Sequence, residues 1–245
     1  MIKMSKKAIS TVLGIFSLSI SANAGTIVSG RPGDAIGAGT LEKGYLQYQS
    51  GISYTETTDI DEKISGTSHG IRSAFFDNLE FAGVFSYSND DLSENTNGVD
   101  NYNYGFGFRY KIRGGDTLPL AFQFRIVDRN NITYHQSILS TAVGVSSKWS
   151  LGLNLKFSDN IDSSSVSHRV GYAASLSRSL TQKLGFFIEN YGTYTNDRLF
   201  TYLDSGFSYL INDDLQADFS AGYGNSYSQE TWFVSIGLSG RFNVL

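Results

Sequence analysis

The stretch NYNYGFGFRYKI, Asn101 to Ile112, decides the fold. Tyr102, Tyr104, Phe106, Phe108, Tyr110 and Ile112 alternate without a break with Asn101, Asn103, Gly105, Gly107, Arg109 and Lys111. Successive side chains of a strand point to opposite faces, so this period gives one aromatic face and one small or polar face. Strands of soluble proteins run about five or six residues. A tilted membrane-spanning strand needs about 9–11.

The same ladder recurs outward from this stretch. Leu46, Tyr48, Ile52 and Tyr54 oppose Gln47, Gln49 and Ser53. Leu118, Leu120, Phe122, Phe124 and Ile126 oppose Ala121, Gln123 and Arg125. Leu151, Leu153, Leu155 and Phe157 oppose Ser150, Gly152, Asn154 and Lys156. Leu215, Ala217, Phe219 and Ala221 oppose Gln216, Asp218, Ser220 and Gly222, and Trp232, Val234, Ile236 and Leu238 oppose Ser235, Gly237 and Ser239. Apolar faces of this length, with aromatics near their ends, suit lipid; Gly, Ser, Asn and Gln opposite them suit a wet lumen. A secreted β-sandwich also alternates, but on shorter strands. In hydrocarbon every backbone group must pair, so these strands must close. The expected fold is all-β, a transmembrane antiparallel up-and-down β-barrel.

Composition agrees. Of 245 residues, 17% are charged and 14% aromatic, with 26 Gly and no Cys. A chain without Cys has no disulfide scaffold, no thiolate metal site and no Cys nucleophile. Its 3 His make a His-rich metal centre unlooked for. No cofactor or metal is expected.

Residues 1–24, MIKMSKKAISTVLGIFSLSISANA, read as a cleaved secretory signal: Lys3, Lys6 and Lys7, a short apolar run from Ala8 to Ile20, then Ala22-Asn23-Ala24. Cleavage removes three of the 19 basic residues and none of the 23 acidic ones, leaving −7. An exported chain so acidic is not expected to bind nucleic acid. Residues 25–43, GTIVSGRPGDAIGAGTLEK, are Gly-rich and polar. They read as a periplasmic tail or a small plug, the loose tail being the plainer reading of the composition. Residues 44–245 would be the barrel.

Twelve strands are expected, over 44–55, 64–75, 79–88, 101–112, 118–127, 137–146, 149–158, 166–177, 184–194, 199–210, 215–224 and 231–242. Short turns follow the even strands, and longer polar loops such as SNDDLSENTNGVD (Ser88–Asp100) follow most odd ones. That rhythm places both termini in the periplasm of a Gram-negative cell. The sixth and ninth strands are the least regular. Phe187 and Tyr191 fall inward beside Glu189, which predicts a bulge or register shift there.

A pore works through its lining, so the inward polar residues are the candidate site: Gln47, Gln49, Arg109, Lys111, Gln123, Arg125, Lys156, Arg169, Glu189, Asp204, Asp218 and Arg241. Basic residues fall on the fourth to eighth strands, acidic ones on the ninth to eleventh, giving a transverse field that orients dipolar solutes. The bland reading is solvated rim charges and inter-strand ion pairs; Arg72 and Glu80, across the second hairpin, read as a candidate for such a pair. Twelve strands leave a lumen between the filled eight-stranded barrel and the open sixteen-stranded porin. Inward Gly105, Gly107, Gly152 and Gly171 would widen it locally.

Catalytic readings are weaker. His135 and Ser137 lie two apart on one strand face, the spacing of a nucleophile and its base in outer-membrane lipid hydrolases, but no third member is evident. Asp204 and Asp218 are adjacent-strand carboxylates that lumen lining explains better. No enzyme is expected.

Two stretches carry a resemblance. SGRPGDAIGAGTLEKGYLQYQSGISY (Ser29–Tyr54) resembles the opening of the family called putative MetA-pathway of phenol degradation. The end, Tyr202–Phe242, resembles its closing strands at Asp204, Gly206, Tyr209, Leu215-Gln216-Ala217-Asp218, Gly222, Gly237 and Arg241-Phe242. The resemblance implies a transporter-like outer-membrane barrel for small, often aromatic, compounds. Asn243-Val244-Leu245 after Phe242 departs from the terminal aromatic that insertion machinery reads. The expected partners are outer-membrane lipid, a small-molecule solute and the barrel-insertion machinery. The alternatives are a non-conducting barrel that binds through its extracellular loops, and a lipid-modifying enzyme.

Overall fold

The structure, a computed structural model, describes residue 27 and residues 29–58, 62–92, 99–114, 118–129, 131–161, 168–226 and 229–244. The expected signal, residues 1–24, lies outside the described residues, as do residues 93–98 of the long polar loop.

The strands are β1 (Tyr45–Thr57), β2 (Glu62–Phe76), β3 (Leu79–Leu92), β4 (Val99–Arg113), β5 (Leu120–Arg129), β6 (Ile132–Gly144), β7 (Trp149–Asn160), β8 (Arg169–Ser179), β9 (Leu184–Thr195), β10 (Arg198–Asn212), β11 (Leu215–Ser226) and β12 (Gln229–Asn243). Each pairs antiparallel with the next, and β12 returns to β1 along Tyr45↔Asn243 through Thr57↔Thr231. The sheet is a closed barrel of 12 strands. Closure leaves no unpaired strand edge.

The two faces divide as the alternation requires. Tyr104, Phe106, Tyr110, Ile52, Phe85, Leu203 and Ile236 project outward and are exposed, Phe106 at 69%. An apolar belt around a whole barrel far exceeds the patch a soluble monomer tolerates, and it is the surface hydrocarbon wants. Inward positions carry the buried polar residues instead, among them Gln47, Gln49, Arg72, Glu80, Glu189 and Ser239.

Three sequence expectations need correction. β6 begins at Ile132 rather than 137, because β5 runs to Arg129 and a tight turn at Asn131 leads straight into β6. Asn131 adopts φ 64° and its N–H donates to Asp128 Oδ1 at 3.1 Å. Asn196 and Asp197 turn β9 into β10 in the same left-handed conformation. Asn and Asp reach that region cheaply, so Asn131, Asn196 and Asp197 make hairpins where longer loops were expected. Second, β9 pairs without interruption on both edges, and Phe187 and Tyr191 are truly inward. No bulge is needed, because apolar partners wait for them inside. Register shifts fall elsewhere, at Ser73/Phe76, Lys111/Arg113 and Leu210/Asn212, all near the rim that holds the chain ends. Third, Gly107 is not a widening. A Cβ there would run into the Phe124 carbonyl and, at 2.7 Å, the Arg125 Cα. Glycine instead lets β4 and β5 approach closely.

The partners of Phe187 and Tyr191 come from the N-terminal segment, which enters the lumen, turns and leaves again by the same rim. Ile27 N–H donates to the Asp213 carbonyl at 2.7 Å, in the β10–β11 turn; at the other end Gly44 N–H donates to Ala74 O at 2.8 Å. Between them Ser29, Arg31, Ala35, Ile36, Ala38 and Leu41 are buried. Gly33, at φ 95°, makes the turn at the apex against the Phe187 ring.

Candidate functional site

A chain threaded through a barrel brings backbone groups that need partners away from bulk water. The wall supplies them from inward polar side chains. Asn154 pairs with the backbone of Ile36 in both directions: Oδ1 accepts from Ile36 N–H at 2.5 Å, and Nδ2 donates to Ile36 O at 2.6 Å. Glu189 accepts from the N–H of Asp34 and, at 2.7 Å, of Ala35. Glu80 accepts from Leu41 N–H at 2.8 Å, Arg109 donates to Gly39 O at 3.1 Å, and Gln216 donates to Arg31 O at 3.2 Å.

Charges match as well. The Arg31 guanidinium donates to Asp218 Oδ1 at 3.3 Å, Ser235 Oγ at 2.6 Å, Ser68 Oγ at 3.2 Å and Ile236 O at 3.3 Å. Gly51 and Gly237, Cα partners on β1 and β12, make its room: a Cβ on either would overlap the guanidinium. Three residues on, Asp34 pairs with Lys156 Nζ on β7, which also donates to Asp34 O at 3.1 Å. The plug therefore sets Arg31 against Asp218 of the acidic arc and Asp34 against Lys156 of the basic one, with Glu189 of the acidic arc close by.

An apolar contact holds the apex. Ala35 packs in a cluster with Ala173, Tyr191, Tyr202 and Phe233, with Phe200 beside it. Tyr191 and Tyr202 stack with ring centroids 5.3 Å apart. Ile36 packs on Ile138.

All twelve sequence candidates lie on the inward face, but they do not form one site. Gln49 donates to Ser29 Oγ at 3.1 Å, and Gln47 is wholly buried on β1. Gln123 accepts from Arg109 Nη2 at 2.8 Å. Lys111 and Arg241 stand near the terminal rim; Arg241 donates to Asp214 at 2.7 Å and lies over the Tyr45 ring. Arg72 and Glu80 pair at 2.7 Å, both buried. Asp204 faces Glu189 across β9–β10, and neither Asp204 carboxylate oxygen has a hydrogen-bond partner among the described residues. Asp204 and Asp218 do not face each other: their Cα partners are Gly222 and Ser208. Arg125 and Arg169 lie on the far side of the plug apex.

The site residues missed in the sequence are the plug's own Arg31 and Asp34 and, on the wall that meets it, Asn154, Tyr202 and Phe233. Their signal was the inward aromatics on β9, read as an irregularity rather than as one side of a contact.

His135 and Ser137 face outward. His135 Nε2 meets Asp159 Oδ2 at 3.2 Å, and His168 Nδ1 meets Oδ1 of the same carboxylate at 2.6 Å. The histidine thus has a carboxylate neighbour, while its ring stacks on Phe124. Among the described residues no hydrogen bond joins it to Ser137, and no cluster of three or more His, Cys, Asp or Glu is arranged for a metal.

The family model described as Putative MetA-pathway of phenol degradation matches residues 29–242, the plug included. No curated protein matches the sequence. Among solved structures, the COG4313 outer membrane channel from Pseudomonas putida F1 is 14% identical with TM-score 0.63, covering 86% of this chain and 99% of that one. The KdgM porin is 9% identical with TM-score 0.59, covering 79% and 99%. The CymD monoaromatic hydrocarbon channel is 9% identical with TM-score 0.56, covering 95% and 99%. At these identities the likeness is one of fold, that of outer-membrane barrels.

Proposed function

Because the chain belongs to the family described as Putative MetA-pathway of phenol degradation, we propose that it is an outer-membrane channel for small solutes, closed at rest by its own residues 29–43. Both termini then lie in the periplasm, the plug enters from that side, and the hairpin turns near Asn131 and Asn196 face outward from the cell. The inward polar residues line the path once the plug withdraws.

The observation that carries this reading is the polar character of most of the plug's contacts. Its anchors are hydrogen bonds and ion pairs to wall residues, and its apolar contacts are two small ones, the cluster around Ala35 and Ile36 on Ile138. Water that fills the lumen after withdrawal can replace most of these bonds, so the two states can be close in free energy. A segment meant only to fill the barrel would be held by apolar packing. The apex cluster of Tyr191, Tyr202, Phe200 and Phe233, freed of Ala35, would offer aromatic walls to a solute. The relatives of similar fold include one described as a monoaromatic hydrocarbon channel.

The test is single-channel conductance of the folded protein in planar bilayers, compared with a variant lacking residues 29–41. Brief openings in the whole protein and sustained ones in the deletion are expected. Silence from both, with heat-modifiable gel mobility showing a folded barrel, would sink the channel reading in favour of a loop-based binder.

A further inference from the structure

The inward faces of β4 to β8 carry no carboxylate: the acidic residues of these strands, Asp100, Asp128 and Asp159, all lie on the outward register. What they do carry is basic. Arg125, Gln136, Ser158 and Arg169 are successive Cα partners across β5–β8, a single row around the wall. Arg125 Nε donates to Gln136 Oε1 at 2.6 Å. The Arg129 and Arg169 guanidiniums flank the Tyr134 ring at 5.9 and 5.1 Å from its centroid. No ion pair among the described residues includes Arg125, Arg129 or Arg169. Arg169 Nε is buried with no acceptor.

Three guanidiniums gathered on one arc repel one another, and a buried N–H donor without an acceptor is costly. Such a cluster persists where it has an anion to hold. The closed chain supplies one from the plug: Asp34, at the apex, pairs with Lys156 and is the carboxylate whose field reaches both Arg125 and Arg129.

We propose that the arc of Arg125, Arg129, Lys156 and Arg169 binds the carboxylate of a small organic acid, and that Asp34 is the internal stand-in for that carboxylate while the lumen is closed. The proposal rests on the channel reading. It adds to it the class of solute and the way the solute opens its own path. The planar fork of arginine matches a carboxylate bidentately, which selects organic acids over neutral solutes of the same shape. An incoming carboxylate competes with Asp34 for the same cations. Each Asp34 displaced removes an anchor of the plug, so binding and opening are linked, and the linkage is reciprocal.

The experiment compares sodium benzoate with benzyl alcohol, which share a ring and differ in the anionic group. Binding to the purified folded protein in micelles is read by saturation-transfer NMR, and conductance is recorded in bilayers. Benzoate should bind at least about tenfold more tightly than the alcohol. Arg125→Gln and Arg169→Gln should each weaken benzoate about tenfold and leave the alcohol unchanged. Asp34→Asn should tighten benzoate several-fold, because the competitor is gone. Asp34 lies outside the barrel wall, so this variant tests the idea even where an arginine variant fails to fold. Equal binding of the two probes, or tighter benzoate binding absent in Asp34→Asn, overturns the proposal. A protein that conducts but ignores benzoate refutes this site and leaves the channel standing. One that binds benzoate and never conducts does the reverse.

Discussion

Arg31→Ala is the perturbation that most directly weighs the plug. In the closed chain the Arg31 side chain is 5% exposed, and its partner Asp218 is fully buried. Of its four hydrogen bonds, that to Ser235 at 2.6 Å is short; those at 3.2 and 3.3 Å are at the long end of the useful range. A hydrogen bond involving a charged group contributes about 1.5–3 kcal/mol net. Removing one partner of a buried ion pair costs about 3–5 kcal/mol, because the other charge is left uncompensated. When the plug is withdrawn, water reaches both groups and neither cost applies. Taking about 3 kcal/mol as the loss confined to the closed state, the closed-to-open ratio should fall about a hundredfold. The chain has no Cys, so Ala35→Cys gives a single thiol. Ala35 is 4% exposed in the closed state, packed on Tyr191 and Phe233. Its reaction with a water-soluble maleimide then proceeds through the withdrawn state, at a rate proportional to that state's population. Adding Arg31→Ala should speed labelling by about two orders of magnitude, and Arg31→Lys by less, since it keeps the charge but not the fork. Fast labelling of Ala35→Cys alone, or acceleration under about threefold by Arg31→Ala, refutes the reasoning: the plug would then be open already, or held by something other than Arg31.

Four further outcomes are expected. Gly237→Ala and Gly51→Ala should speed labelling of the same thiol, because the new Cβ overlaps the Arg31 guanidinium; Gly39→Ala, whose Cβ meets nothing within 4 Å, should not. Arg72→Ala should destabilise the barrel by about 3–5 kcal/mol in urea titrations, leaving Glu80 buried without its partner, and Arg72→Met with Glu80→Leu should recover most of it. Asp204→Asn should raise the urea midpoint, since it removes an unpartnered carboxylate facing Glu189; a lower midpoint would mean that Asp204 has a partner. Phe106→Arg, at the middle of β4 and outward, should cost about 2–4 kcal/mol of stability in lipid vesicles, and wild-type folding yield would count against a lipid-facing belt.

The barrel was legible in the sequence because its cause is local. A strand that alternates Tyr102-Asn103-Tyr104-Gly105-Phe106 declares both its faces without reference to any other strand, and that pattern repeats around the sheet. Turns were read less well where the signal was short, as at Asn131 and at Asn196-Asp197. The plug was legible only as the second of two readings of residues 25–43, for a physical reason. Its contacts join residues far apart in the chain, such as Arg31 to Asp218 and Ile36 to Asn154, and no periodicity links them. Read alone, GRPGDAIGAG is a polar, flexible string; read alone, the wall's inward polar groups are those of a wet pore. Each half suits water as well as it suits the other. This ambiguity has the same origin as the gating proposed here. Polar side chains of both halves can be satisfied by each other or by water, so the net difference between the closed and the withdrawn state can be modest. Where the difference is large, as for the lipid-facing aromatics, the sequence speaks plainly and the structure has one state. Where it is small, the lumen can have two, and a modest ligand such as a competing carboxylate is enough to choose between them.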